Sequence, residues 1–387
     1  MCADPDAVRS PMSPAAGRPP AAAGPRRRLG RRLLASLLAP LLAASLAACG
    51  GVNPSYAAAK AHHRPEGFTN VAGPTGGKPF GEFLRWQRER IVEGVPKPPS
   101  THVAGYAGFP VVRPDLALLK ANVGGDRVTV TWIGHATLLL QIGGRTLLVD
   151  PVFSGRASPL SFAGPRRRVP LPATLDELPR IDAVLVSHNH YDHLDAETVR
   201  RLDAQPGGPP LFVVPLGVDL WLKDEGVRRV HRLDWWDTLR VDGVEIVLTP
   251  AQHWSARSPW DRNATLWGGF AVKAPGFTFW DSGDTGYAPI FADIGRRVGP
   301  IDLAAIPVGA YEPRWFMKDQ HVNPEEAVRI LLDVGAREAV GGHWGTFELT
   351  DEPLDAPIGA LPAALDALGV ARERFVLYRH GETREYA

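Results

Sequence analysis

The stretch SHNHYDHLD, residues 187–195, places three histidines and two aspartates directly after the apolar segment IDAVLV. In an extended chain, His188 and His190 point to the same side because successive side chains alternate. Asp192 and His193 follow in an expected turn and can face a second point. Burying so many imidazole and carboxylate groups together is costly unless cations compensate them. The stretch therefore predicts two metal positions, which the fold has to complete with residues from elsewhere.

Other apolar segments also end on a polar residue followed by a turn, and their length and composition are typical of buried strands. The polar residues at these segment ends are His135, Asp150, His253, Asp284 and His343. Helical segments, among them DAETVRRLDA and NPEEAVRILLDVGA, lie between some of the strands. Alternating strands and helices predict an α/β fold. If the strand ends meet at one edge of the sheets, their polar residues converge with the 187–195 stretch.

His253, Asp284 and His343 can complete the two metal positions, and a carboxylate is suited to bridging two cations. The folded part has no cysteine, so any metal there is bound by nitrogen and oxygen. Such ligands suit Zn²⁺, with iron or manganese as alternatives. A metal pair about 3.5–4 Å apart lowers the pKa of a shared water and neutralises charge on the attacked group. The pattern thus predicts a hydrolase in which Asp192 and Asp284 are both metal ligands and catalytic residues.

The N-terminal residues 1–48 combine the basic segment RRRLGRR with the apolar segment LLASLLAPLLAASLAA, a pattern typical of a signal peptide. The apolar segment is too short, and too interrupted by proline, for a good membrane-spanning helix. It leads into LAAC, whose Cys49 resembles the lipidated cysteine of bacterial lipoproteins. We therefore expect an exported protein, translated from Met1 or Met12 and lipid-anchored to a bacterial membrane at its periplasmic or extracellular face. An uncleaved anchor or a chance apolar segment is the alternative.

Residues 49–79 are rich in small residues, glycine and proline, which predicts a flexible tether. Residues 80–387 show neither a fixed repeat nor a second break in composition, and we expect them to form a single catalytic domain. It begins with the helical segment FGEFLRWQRERIVEG. Outside residues 1–48, acidic residues slightly outnumber basic ones, which argues against a nucleic-acid partner.

The stretch SHNHYDHLD, followed by a later histidine, aspartate and histidine, resembles the metallo-β-lactamase superfamily of αββα sandwich hydrolases. Longer segments across most of residues 128–383 are similar to the N-acylphosphatidylethanolamine-hydrolysing phospholipase D family. They include TWIGHATLLL, DPVFSGRASP, TPAQHW, IPVGAYEPRWFMKDQHVNPEEAVRI and LYRHGETR. The resemblance implies a single αββα domain. The N-terminal part has no evident counterpart in the animal members of the family.

The same resemblance implies two zinc ions per chain, one held by three histidines and one by an aspartate and two histidines, with a further aspartate between them. The residues are His188, His190 and His253 for the first ion, Asp192, His193 and His343 for the second, and Asp284 for the bridge.

Other residues of the site have less direct roles. The resemblance implies that Tyr191 and His321 contact the phospholipid, with an aromatic cover over the metals and a helix cap as the alternatives. His135 and Asp150, at strand ends, are expected to orient metal ligands through hydrogen bonds. The remaining histidines are not assigned to the site; they are His62, His63, His102, His231 and His380.

The implied reaction is hydrolysis of a phosphodiester by activated hydroxide, which releases an N-acylethanolamine and phosphatidic acid. The expected partners are the phospholipid substrate, a membrane surface reached through lipidated Cys49, and a second copy in a homodimer. Two other functions remain open: a lactonase or phosphodiesterase of a soluble substrate on the same scaffold, and a tethered binding protein with a structural metal. Seven ligands over two positions argue against the binding protein, because structural zinc sites are usually closed sets of four ligands.

Two segments are candidates for membrane contact. Residues 153–172 combine apolar side chains with three consecutive arginines, and residues 312–320 include Trp315, Phe316 and Met317. A solvated loop is the alternative for the first segment, and buried packing is the alternative for the second.

Overall fold

The computed structural model describes residues 52–75, 78–99 and 105–387. The predicted signal peptide, Cys49 and His102 lie outside the described residues. Within the described ranges, none of the helices combines the length and the apolarity that crossing a bilayer requires.

Two seven-stranded mixed sheets form the centre of the described chain. The first sheet contains, in spatial order, β16 (Thr383–Tyr386), β3 (Val128–Gly134), β4 (Thr137–Ile142), β5 (Arg145–Val149), β6 (Ala183–Leu185), β7 (Leu211–Pro215) and β8 (Val230–Leu233). The second contains β15 (Phe375–Val376), β14 (Glu338–Gly342), β13 (Leu303–Pro307), β12 (Phe277–Asp281), β11 (Gly269–Ala274), β10 (Val244–Thr249) and β9 (Thr238–Val241). A two-stranded hairpin of β1 (His63–Arg64) and β2 (Gly67–Phe68) precedes them.

Side-chain alternation along the strands divides the apolar residues between two clusters. In β4, Leu138 and Leu140 belong to one cluster and Leu139 belongs to the other. The larger cluster contains residues of both sheets, including Trp132 and Trp280, so the two sheets pack face to face. Central strands that are buried on both faces, such as β6, β7 and β13, are nearly continuous apolar segments instead of alternating with polar residues.

Several helices cover the outer faces of the two sheets. The described α-helices are α1 (Phe80–Glu93), α2 (Leu116–Ala121), α3 (Ala196–Asp203), α4 (Val218–Asp224), α5 (Phe291–Val298), α6 (Arg314–Met317), α7 (Pro324–Val334) and α8 (Ala356–Ala367). Val199 of α3 and Leu222 of α4 pack with the first sheet, and Leu331 of α7 and Leu361 of α8 pack in the larger cluster. The layered α/β architecture predicted from the sequence is confirmed.

The strand directions bring the polar strand ends to common edges. Strand β4 is antiparallel to both β3 and β5, and β6 is parallel to β5, so β3, β5 and β6 run in one direction. By the same reasoning β10, β12, β13 and β14 share a direction. Within each sheet, the residues that follow these strands therefore lie along one edge.

The predicted flexible tether is packed onto the domain. Residues 52–75, which we call the strap, include the β1–β2 hairpin and the buried side chains of His62 and His63. Asp234, which follows β8, accepts hydrogen bonds from both imidazole rings, with Nε2 to Oδ distances of 2.7 Å for His62 and 2.9 Å for His63. The tether prediction is wrong for these residues because it rested on composition, and the folded part begins by residue 52 instead of residue 80.

Candidate metal centre

The Oδ2 atom of Asp284 lies among four buried histidines. It is 3.1 Å from Nε2 of His193 and 3.1 Å from Nε2 of His343. The corresponding distances are 3.9 Å to Nε2 of His188 and 3.8 Å to Nε2 of His253. The fold therefore brings together side chains that follow four different strands, β6, β10, β12 and β14.

His188, His190 and His253 form the first set of ligand atoms. Nε2 of His188 lies 2.8 Å from Nδ1 of His190, and Nδ1 of His190 lies 3.4 Å from Nε2 of His253. These atoms all lie within 4.8 Å of one another. Three imidazole nitrogens at such spacing can hold one cation.

Asp192, His193 and His343 form the second set. Oδ2 of Asp192 lies 3.2 Å from Nε2 of His343 and 3.6 Å from Nε2 of His193. Nε2 of His135 lies 2.9 Å from the same oxygen. His135 thus orients Asp192 through a hydrogen bond, as predicted from its position at a strand end.

In His193 and His253, the ring nitrogen that faces away from the cluster is bound to an acceptor. Nδ1 of His193 donates to Oδ2 of Asp150 at 2.7 Å, and Nδ1 of His253 donates to the main-chain oxygen of Gln320 at 2.9 Å. Each ring therefore presents the lone pair of Nε2 to the cluster. Asp150 thus holds the His193 ring, which is the contact expected of a residue that orients a metal ligand.

Ser187 extends the same arrangement to His188. Its hydroxyl donates to Oδ2 of Asp150 at 2.6 Å, so that it accepts from Nδ1 of His188 at 2.9 Å. Nε2 of His193 is buried, and among the described residues it has no hydrogen-bond partner. Oriented lone pairs, two carboxylates and an unpartnered buried nitrogen fit a site for divalent cations.

The backbone is strained at three residues of the site that directly follow strands. His135, Asp150 and His343 have φ angles of 55°, 40° and 60°. Non-glycine residues rarely adopt this left-handed region, and each such residue costs on the order of 1–3 kcal/mol. At each of these residues the left-handed backbone conformation turns the chain at the end of the strand, and the side chain lies in or beside the cluster.

Burial and neighbouring charges set the protonation of the cluster. Burial lowers the pKa of His190 to about 3 and that of His253 to about 4. Burial alone would raise the pKa of Asp284, but His193 and His343 outweigh it and hold this pKa well below its usual value. Burial opposes the change, but Asp284 and Asp192 raise the pKa of His343 to about 9 and that of His193 well above its usual value. A metal ion bound there would therefore replace a proton on each of these two rings, whereas His190 and His253 are already neutral.

A cavity of about 430 Å³ opens onto the cluster. His190, Asp192 and Asp284 contribute to its wall. Most of its other walls are apolar and come from α1, α6 and loops beside the site, namely Phe80, Phe83, Trp86, Ala310, Phe316, Met317 and Leu349. We call it the apolar cavity.

His321 also lines the apolar cavity. Its Nδ1 atom lies 4.0 Å from Oδ2 of Asp284 and has no hydrogen-bond partner among the described residues. Helix α7 is capped by Asn323, whose side chain accepts from the main-chain nitrogen of Glu326 at 2.9 Å. The alternative role of His321 as a helix cap is therefore wrong, and its placement agrees with the predicted substrate contact.

Tyr191 is placed differently from this prediction. Its hydroxyl donates to the main-chain oxygen of Arg257 at 2.7 Å, and the Arg257 guanidinium lies 4.1 Å from the centre of its ring. Tyr191 lines a separate polar cavity instead of the apolar cavity. The cavity thus gives no support to a substrate contact by Tyr191, which stays a prediction.

Some residues that matter to the site had no signal in the sequence. Asn70 of the strap bonds the main chain of His253, and no motif pointed to it. The adjacent pair His62–His63, together with Asp234 in the segment LDWWD, could have indicated the contact that holds the strap. The ligand atoms of these three residues are close enough for a cation, but the Lys60 ammonium already lies 2.5 Å from Oδ2 of Asp234.

Comparison with known proteins agrees with the fold. Residues 145–344 match the family model described as a β-lactamase superfamily domain. An isothiocyanate hydrolase from Delia radicum gut bacteria has the same fold, with a TM-score of 0.55 at 22% identity over 67% of this chain and 99% of that chain. The chain belongs to the metallo-β-lactamase superfamily, and the predicted fold class is confirmed.

Relatives in sequence narrow the class further. A metal-dependent hydrolase of Caldivirga maquilingensis is 30% identical over 56% of this chain and 82% of its own length. An N-acyl-phosphatidylethanolamine-hydrolyzing phospholipase D of Caenorhabditis elegans is 44% identical over 61% of this chain and 69% of the worm protein. This chain is accordingly a metal-dependent hydrolase of the superfamily.

The residues fit two metal positions, with His188, His190 and His253 at one, Asp192, His193 and His343 at the other, and Asp284 between them. Metal ions held there would supply a water of lowered pKa and draw off negative charge from the attacked group. The chain itself contributes oriented ligands, a largely buried site and an apolar approach to it.

Proposed function

We propose that this protein is a dinuclear zinc phosphodiesterase of the phospholipase D type. Its substrate is an N-acylphosphatidylethanolamine-type phospholipid, and its products are an N-acylethanolamine and phosphatidic acid. The single observation that carries this proposal is the apolar cavity, because it joins the metal ligands to an exposed apolar part of the surface. A phosphodiester attached to acyl chains needs both features in one site.

The apolar cavity reaches the surface through helix α1. Phe80 and Phe83 line the cavity and are 72% and 41% exposed. Deeper in the cavity, Trp86 stacks on Phe316 with ring centres 4.8 Å apart, and Met317 belongs to the same cluster. A chain of methylene groups could therefore pass along an apolar wall from the surface to the ligands, with each buried CH₂ contributing about 0.8 kcal/mol.

The burial of Phe316 and Met317 bears on the two alternatives for residues 312–320. Both side chains are buried, at 7% and 4% exposure, so they line the cavity instead of forming a membrane-contacting surface. The predicted membrane contact is wrong for these two residues. Their role in the proposal is to bind an acyl chain.

Two cations line the cavity beside the ligands. The Arg262 guanidinium lies 4.1 Å from the centre of the Trp254 ring, and among the described residues it has no carboxylate within ion-pair distance. Lys78 pairs with Asp319 at 2.7 Å. Arg262 is thus available for an anionic phosphate group, which it can bind through two parallel hydrogen bonds.

The assigned roles follow from these placements. Asp284 and Asp192 bind metal and belong to the catalytic centre, and His321 contacts the phospholipid near the cluster. The activity for which the worm relative is named supports the choice of lipid. The zinc identity and the homodimer are parts of the same proposal and rest on the resemblance to the phospholipase D family. The lipid anchor at Cys49 and the bacterial-membrane location are also proposed, and they rest on the signal-peptide pattern and the LAAC segment.

The proposal is tested by measuring N-acylethanolamine release from mixed micelles that contain an N-acylphosphatidylethanolamine. The full chain is compared with Asp284→Asn and with the matched control Asp293→Asn, whose half-exposed carboxylate pairs only with Arg296 and Arg297 among the described residues. We expect release by the wild type and the control, and loss of activity by at least about a hundredfold in Asp284→Asn, together with loss of bound metal.

Other outcomes would distinguish an error in the proposed lipid substrate from an error in the proposed metal centre. If the wild type leaves the lipid intact but hydrolyses bis-p-nitrophenyl phosphate or a lactone, the phospholipase proposal is wrong and a soluble substrate takes its place. If Asp284→Asn retains both metal and lipid hydrolysis, the proposed centre itself is wrong.

A further inference from the structure

A second cavity, of about 570 Å³, borders the same metal-binding stretch. His190 and Asp192 line the apolar cavity, whereas Tyr191 between them lines this one. Four arginines contribute to its wall, and we call it the arginine cavity. They are Arg156, Arg166, Arg200 and Arg257.

Arg257 is a largely enclosed cation with unused donors. Its guanidinium lies between two aromatic rings, 4.1 Å from the centre of Tyr191 and 4.4 Å from the centre of Trp221. Nη1 donates to the main-chain oxygens of Asn189 and Leu194, each at 2.8 Å. Within the described chain, Nε and Nη2 make no hydrogen bond and no carboxylate lies within ion-pair distance. An enclosed cation without an anion is costly, and burial accordingly lowers the pKa of Arg257.

Two further arginines of the cavity also lack a carboxylate partner. Arg156 donates only to main-chain oxygens, those of Ser161 at 3.0 Å and Gly164 at 2.7 Å. Arg166 is exposed, and among the described residues its side chain makes neither a hydrogen bond nor an ion pair. Three guanidinium groups around this space therefore carry charge that no acidic side chain of the described residues balances by contact.

The acidic residues of the wall are engaged elsewhere. Asp195 accepts from the hydroxyl of Ser154 at 2.8 Å and from the main-chain nitrogens of Ser154 and Phe153. Glu197 faces Arg200, which pairs more closely with Glu225 at 2.8 Å. Asp195 thus holds the loop, Glu197 and Glu225 balance Arg200, and the remaining charge of the arginine cavity is positive.

We propose that the arginine cavity is a binding site for a phosphate monoester or free phosphate dianion. Guanidinium groups suit this ligand because their fixed donor geometry matches two phosphate oxygens at once. The ligand could be inorganic phosphate or the headgroup of an acidic lipid, since Leu160 of the wall is 46% exposed and Phe162 on the same loop is 78% exposed. The site is independent of the proposed phospholipase activity and does not require it.

The position of Arg257 gives the site a structural consequence. Through Asn189 and Leu194 it holds the main chain on both sides of His190, Asp192 and His193. An anion on the free donors of Arg257 would fix this side chain and, with it, residues 187–195. This stretch carries four of the candidate metal ligands. Binding of the anion is therefore expected to raise the melting temperature of the protein.

The test is a calorimetric titration of the full chain with two probes, inorganic phosphate and dihexanoyl phosphatidic acid below its micelle concentration. Because phosphate also binds metal ions, each titration is repeated after the protein is treated with a chelator. The variants are Arg257→Gln and Arg166→Gln. The matched control is Arg240→Gln. Arg240 is an exposed arginine of β9, at the edge of the second sheet, and it pairs with Glu245 of β10.

We expect saturable binding that persists without metal, weakens about tenfold or more in Arg257→Gln and about fivefold in Arg166→Gln, and is unchanged in Arg240→Gln. Equal affinity for the two probes identifies free phosphate as the ligand chemistry, and a clear preference for the phosphatidic acid identifies a lipid headgroup. Either result supports the site.

The proposal is overturned if neither probe saturates, if binding disappears with the metal, or if Arg166→Gln binds as tightly as the wild type. It is equally overturned if Arg240→Gln weakens binding as much as Arg166→Gln, since the effect would then be general charge. If Arg257→Gln fails to fold, the exposed Arg166 still decides the outcome.

Discussion

The side-chain amide of Asn70 pairs with both main-chain groups of His253. Nδ2 of Asn70 donates to the oxygen of His253 at 3.0 Å, and the nitrogen of His253 donates to Oδ1 of Asn70 at 3.2 Å. Trp267 also donates to Oδ1, at 3.0 Å, and Asn70 is only 8% exposed. With Nδ1 of His253 bound to Gln320, both the backbone and the ring of this ligand are held. The strap therefore holds His253 in place within the candidate metal centre.

Asn70→Ala should weaken metal binding without unfolding the protein. Contacts that orient ligands typically contribute about 10–100-fold in metal affinity, and we expect a loss in this range. The measurement is competition with a chelator, together with kcat and KM, because a mispositioned ligand lowers kcat more than it raises KM. The control is Asn53→Ala, which removes another buried strap amide that bonds only within the strap. Equal metal affinity in the two variants would contradict this role of Asn70.

The attachment of the strap through Asp234 should depend on pH. Burial acts to raise the pKa of Asp234, but hydrogen bonds from His62 and Lys60 outweigh it and hold this pKa below its usual value of 3.8. A lowered carboxyl pKa contributes stability that is fully present above the unfolded-state value and is lost as the pH falls from there through the folded-state value. We therefore expect Asp234→Asn to lower the free energy of unfolding by about 2 kcal/mol at pH 7, with a smaller difference from wild type below about pH 4.

Urea unfolding of the two proteins at several pH values measures this difference. Asp224→Asn is the control, because Asp224 is exposed and has no ion pair among the described residues. A difference that stayed constant down to about pH 3.5, or a comparable effect of Asp224→Asn, would argue against the pH-dependent attachment.

Gly283→Ala should displace the neighbouring Asp284, and this effect should add to the strain that alanine has at a positive φ angle. Gly283 has φ 58°, and a Cβ there would lie 2.5 Å from the main-chain oxygen of Gly268. Gly276 has φ 82°, but a Cβ at that position would meet no described atom within 4 Å. Alanine at position 276 should cost about 1 kcal/mol from backbone strain, whereas alanine at 283 should cost more and reduce bound metal by displacing Asp284. Similar melting temperatures for the two variants would show that the close contact has no effect.

Phe83→Ser should affect a long-chain substrate more than a short one. Phe83 lines the apolar cavity, while the adjacent Leu84 is 51% exposed and does not line it, so Leu84→Ser is a matched control. Removing an apolar contact of this size should raise KM for the long-chain lipid by about tenfold, with little change for a dihexanoyl analogue. Kinetics on both lipids measure the effect, and the same increase in KM for both chain lengths would place Phe83 outside the acyl path.

Much of the site was predictable because its signals are local. The strands that precede the candidate ligands are largely apolar segments, and each candidate ligand follows its strand within a few residues. The order and chemistry of His188, His253, Asp284 and His343 are therefore visible in the sequence. Helix α7 was equally predictable, since Asn323 and Gly335 mark its start and end within the segment itself. Such features depend on neighbours in the chain and need no knowledge of the fold.

The sequence by itself determined the α/β layers and the set of side chains that could hold metal. Only the tertiary structure decided that the strap is folded, that Tyr191 turns to Arg257, and that an apolar cavity joins the ligands to helix α1. Asn70 and His253 are separated by 183 residues, and His62 and Asp234 by 172. Composition averages over a segment and cannot show which distant partner satisfies a buried amide or imidazole, so these contacts emerge only when the chain is packed in three dimensions.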